Sequence, residues 1–117
     1  MNVGQFLKKD KGKWHKIPRT KVRVRIKPLK YRQRLQLAAA YSNENGAGME
    51  KLADIILRDC ISEWEDIDAD GAEFPCTYEN KCILFDNWPA FAEVCTNIVL
   101  EEITAAQKKE ETEEKNS

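Results

Sequence analysis

Between Thr20 and Leu29 the chain reads TKVRVRIKPL. On an extended backbone Val22, Val24 and Ile26 fall on one side, and Lys21, Arg23, Arg25 and Lys27 on the other. Strand side chains alternate between two faces, so this pattern fits a strand that is buried on one face only. The β-branched residues favour the same conformation. Pro28 ends the strand because it has no N–H to give to a ladder. A half-buried strand must be covered by an apolar layer and flanked by other strands. A short extended piece at Trp14–Pro18 is one candidate neighbour.

The rest of the chain supplies the cover. Lys30–Ser42 reads as a helix, with Leu35, Leu37, Ala38 and Tyr41 available to a buried stripe, and the SNENGAG segment at 42–48 breaks it. Met49–Ser62 reads as a second helix, in which Met49, Leu52, Ala53, Ile56 and Cys60 recur at three- and four-residue spacings. Thr77 is a candidate N-cap for a short third helix ending near Asp86. Pro89 suits the first turn of a fourth helix, with Phe91, Val94, Cys95, Ile98, Ile103 and Ala106 on its apolar face. These elements predict an α+β fold, a mostly helical single domain with a small antiparallel sheet or hairpin. The expected limits are a flexible basic arm at 1–13, the domain at 14–107 and a disordered acidic tail at 108–117.

The chain is 117 residues long with a formal net charge of −1, and that near-neutral total hides a division. Residues 1–36 hold 13 Lys/Arg and one acid, a net +12, whereas residues 37–117 carry a net −13. Such asymmetry predicts a charged partner for one end or attraction between the halves. No apolar run approaches the ~20 residues needed to cross a bilayer, so no membrane partner is expected. The N-terminal residues lack the apolar stretch of a secretory signal. The expected setting is therefore cytoplasmic, with Cys60, Cys76, Cys82 and Cys95 as reduced thiols. They form no C-x-x-C pair, so zinc is not expected.

WEDIDADGAEFPC, residues 64–76, raises the question of a metal site. Asp66, Asp68, Asp70 and Gly71 match the first half of an EF-hand loop. That loop needs a side-chain or water ligand at position 9 and a bidentate Glu at position 12. Here those positions fall on Phe74 and Thr77, with Pro75 between them, and Glu79 comes two residues too late. The alternative is a hairpin in which Asp70 and Gly71 supply the two left-handed residues of a tight turn. Trp64, Ile67 and Phe74 would then pin the hairpin onto the helices. A hairpin and no metal is the expectation.

Nor is a catalytic group or cofactor expected. The one His, His15, lies in the basic region, and the sequence has neither a Gly-rich phosphate loop nor G-x-S-x-G. Cys76 follows Pro75 with nothing nearby to lower its pKa. The chain is read as a non-enzyme.

Taken together, VRVRIKPLKYRQRLQL, then WEDIDADGAEFPCTYEN at 64–80, then NWPAFAEVCTNIV resemble the tail assembly chaperones and related small tail-region proteins of long-tailed bacteriophages and prophages. The resemblance covers about residues 21–107 and lies in the order and spacing of these segments. The basic arm and the four cysteines are not part of it. It implies a non-enzymatic protein of the bacterial host cytoplasm that binds the helical tape-measure protein and helps tail-tube subunits assemble around it.

Two other readings follow from the residues. Lys21, Arg23, Arg25 and Lys27, extended by the basic arm, with Trp14 and His15 available to stack on bases, could bind nucleic acid. Alternatively, the chain is a structural tail component, its subunits joined by strand addition at residues 20–28. The cation row would oppose self-pairing there unless acids face it. The oligomeric state is not legible.

Overall fold

The computed structural model describes residues 3–4, 11–41 and 47–115, without the side chains of Tyr41, Ala47 and 106–115. The fold is α+β. A three-stranded antiparallel sheet has the order β1 (Lys13–Lys16), β2 (Arg23–Ile26), β3 (Ile61–Glu65). A separate hairpin joins β4 (Asp68–Ala69) to β5 (Ala72–Glu73). The helices are α1 (Tyr31–Tyr41), α2 (Ala47–Ile55), α3 (Tyr78–Asn87) and α4 (Pro89–Lys115), and a π-helical turn at Ile56–Cys60 follows α2 directly.

β2 is the expected strand, and its alternation is realised. Val22, Val24 and Ile26 are buried, and Lys21 and Arg23 are exposed. Between β1 and β2 the chain turns through Pro18 and Arg19. Thr20 N–H donates to the Ile17 carbonyl, and Arg19 takes a φ of 65°. Proline fixes the first corner of such a turn, while the second must enter the left-handed region. The Thr20 hydroxyl donates to the Ile17 carbonyl and accepts from the Val22 N–H, which locks the turn.

The core packs Ile17, Val24 and Ile26 of the sheet side against Leu52, Ile56 and Ile61, and against Phe91, Cys95 and Val99 of α4. The aromatic rings converge on Phe91, which is fully buried. Trp88 stacks on it at 5.7 Å, and Trp64 and Phe85 meet it edge-on at 6.1 and 6.5 Å. The helix starts are capped as their residues demand. Gln33 reaches back to the Lys30 N–H ahead of α1, and the Thr77 hydroxyl accepts from the Asn80 N–H in α3. Pro89 occupies the first position of α4.

Four expectations are corrected. The second helix does not reach Ser62: α2 ends at Ile55, the π-helical turn carries the chain to Cys60, and Ile61 and Ser62 belong to β3. Trp64 therefore lies in a sheet strand paired with β2, and the hairpin is confined to residues 68–73. Strand addition by residues 20–28 is closed off, because β2 is interior and paired on both sides. Of the α1 stripe, the Tyr41 side chain lies outside those described, and among the rest only Leu37 is buried; Leu35 and Ala38 are exposed, as is Met49 on α2.

The domain limits also differ from the expectation. Of the arm expected at 1–13, residues 1–2 and 5–10 lie outside the described residues, but residues 11–13 are docked on the sheet. The Lys11 carbonyl accepts from the Ser62 hydroxyl, the Gly12 carbonyl accepts from Arg25 Nε, and Lys13 pairs with Ile26. At the other end α4 runs to Lys115, through most of the segment expected to be disordered.

Candidate interaction surface

Cross-strand partners share a face of a sheet, so the register assigns each side chain. His15, Val24 and Trp64 line up on the core side. On the outer side Lys16 stands beside Arg23 and Trp14 beside Arg25, and these arginines stand beside Glu65 and Glu63. The cations of β2 are thus flanked by an aromatic ring on one side and by acids on the other. Arg23 forms an ion pair with Glu65, and Arg25 Nη1 lies 3.6 Å from Glu63 Oε2. Both guanidinium groups lie over the Trp14 ring, at 5.1 and 5.8 Å from its centre. Of the candidate basic face, Lys21 and Arg23 are exposed and Arg25 and Lys27 half-buried. Trp14 is thus already stacked on this protein's own arginines. His15 sits on the core side instead, and among the described residues its buried Nε2 has no hydrogen-bond partner.

The 64–76 segment makes a tight turn. Asp70 and Gly71 have φ of 51° and 85°, the left-handed pair that a two-residue hairpin loop requires. Trp64 stacks on Phe74 at 5.9 Å and its indole N–H donates to the Phe74 carbonyl at 2.6 Å. Ile67 is half-buried against the core, and its carbonyl accepts from the Phe74 N–H. Asp66, Asp68 and Asp70 are exposed. Among the described residues no group of three or more His, Cys, Asp or Glu is arranged to hold a metal ion.

All four cysteines are free thiols. Burial pushes the pKa of Cys60 and Cys95 up to about 12, and it raises that of Cys76 as well. These thiols are protonated at neutral pH, and the protonated form is a poor nucleophile.

Two features escaped the sequence reading. Lys81 is only 8% exposed, and its ammonium donates to the Leu57 carbonyl at 3.2 Å, tying α3 to the π-helical turn. Its position was legible, since it precedes Leu84 and Phe85 by three and four residues on one helix face. The second is the outer side of α1. Tyr31 and Leu35, one turn apart, are 60% and 52% exposed, and Ala38 continues their stripe. No acid occurs between residues 30 and 41, whereas Lys30, Arg32 and Arg34 do. Arg34 lies over the Tyr31 ring at 5.4 Å. No described helix is long and apolar enough to cross a membrane. The chain matches no protein-family model, no curated protein and no solved structure.

Proposed function

We propose that this protein works by holding another protein and not by catalysis, and that its partner is an amphipathic helix laid along α1. In the phage-tail reading the partner is the tape-measure protein, and the chain is an assembly chaperone acting in the host cytoplasm. The observation that carries the proposal is the pair Tyr31 and Leu35, both more than half exposed on a single helix face. An apolar stripe of this spacing is what a helix-in-groove partner reads. The cations beside it select a partner whose own apolar stripe is flanked by acids.

Nucleic acid is the weaker candidate. Two of the four cations of the basic face, Arg23 and Arg25, face acids of β3, and Trp14 is occupied by arginines. Each neutralised cation removes a phosphate contact. The structural-component alternative draws support from the two outer strands of the sheet.

The test is co-expression with the longest helical protein encoded beside this chain, followed by pull-down at about 0.3 M salt, where surface charge is heavily screened. The proposal expects a stoichiometric complex that a Leu35→Asp variant fails to form. Failure of the wild-type chain to retain the partner would count against it.

A further inference from the structure

We infer that copies of this chain associate head to tail, the β1 edge of one copy against the β3 edge of the next. Among the described residues the sheet has three strands, and β2 is its interior. Among the described residues, the outer side of β3 is engaged only at its first residue, where the Ile61 N–H donates to the Ile56 carbonyl, and no backbone group pairs with the outer side of β1 or with the rest of β3. An unpaired strand edge is a template for another strand unless something discourages it.

Charge discourages like pairings here and favours one unlike pairing. β1 reads KWHK, and no acid occurs from Lys11 to Asn43. β3 reads ISEWE, and no Lys or Arg occurs from Cys60 to Asn80. Two β1 edges would oppose lysine to lysine, and two β3 edges would oppose glutamate to glutamate. Like charges directly opposite destabilise a strand pair. Only β1 against β3 joins opposite charges.

The outer face gives the same answer. Within one copy the ranks run Lys16 and Trp14, then Arg23 and Arg25, then Glu65 and Glu63. The acid rank has cations on one side only. Placing the next copy's β1 beside β3 sets Lys16 next to that rank and gives it cations on both sides. Because the two edges differ, the interface is heterologous, and it either closes into a ring or grows. It uses none of the α1 stripe, so it stands or falls separately from the proposed function.

Sedimentation velocity on the full chain tests this. At about 0.05 M salt the average mass should rise with protein concentration, and at about 0.5 M it should return to that of a single copy. A Lys13→Glu/Lys16→Glu double variant should remain single at all concentrations. Added to wild type, it should lower the average mass of the mixture. Its intact β3 edge would occupy a wild-type β1 edge, while its own β1 edge would accept nothing. Glu63→Gln, a milder change at the other edge, should weaken association several-fold. Circular dichroism should show each variant folded. The inference is overturned if wild type stays single under all these conditions, if the double variant associates alone, or if it leaves the wild-type mass unchanged.

Discussion

At the scale of single residues, Phe91 organises the core. It meets Trp64, Phe85 and Trp88, which come from β3, α3 and the α3–α4 junction. Phe91→Ala should cost about 3–5 kcal/mol, measured by urea denaturation. The buried thiols make a pH prediction. Burial raises the pKa of Cys60 and Cys95 from the ordinary 9.0 to about 12. The unfolded chain therefore releases these protons at lower pH than the folded one. Their contribution to stability is intact below about pH 9 and is lost as pH rises toward 12. The urea midpoint should fall over that range, and it should fall less in a Cys60→Ala/Cys95→Ala variant. The burial of Phe91 and Cys95 was legible from their spacing in α4. Whether Tyr31 or Leu35 faced core or solvent was not, because both kinds of stripe use the same residues.

At the scale of elements, two glycines with similar backbone angles should respond differently. Gly71 has φ of 85° and open space around it, so Gly71→Ala meets only the left-handed penalty of about 1 kcal/mol. Gly12 has φ of 89°, and an added Cβ would collide with the Ile26 carbonyl. Gly12→Ala should therefore cost more than Gly71→Ala and loosen β1 from β2, seen as faster amide exchange in Lys13–Lys16. Calcium at about 1 mM should leave the Tm unchanged, since the segment after Gly71 lacks a bidentate carboxylate. The Asp70-Gly71 turn and the helix starts could be read because local chemistry fixes them. The end of the second helix could not. Ser62 has no opposite number on β2, so Ile61 and Trp64, three residues apart, both face inward. That bulge imitates helical spacing and hides a strand.

At the scale of the whole molecule, the divided charge is joined through the sheet. Arg23 and Arg25 from the cationic half meet Glu65 and Glu63 from the acidic half. The Arg23–Glu65 pair is well exposed, so Arg23→Ala should cost less than about 1 kcal/mol. The two halves were legible from composition, but the strand order that brings them together was not, because it depends on long-range pairing of residues 23–26 with 61–65. The central claim is that α1 holds a partner helix through apolar contact. Its most direct test is the affinity of wild type and of Leu35→Asp for a partner helix, by calorimetry at about 0.1 and 0.5 M salt. The claim predicts a wild-type affinity that changes only several-fold between these salts, and a more than tenfold loss in Leu35→Asp at unchanged Tm. Binding that Leu35→Asp leaves intact, or that salt abolishes, would contradict it.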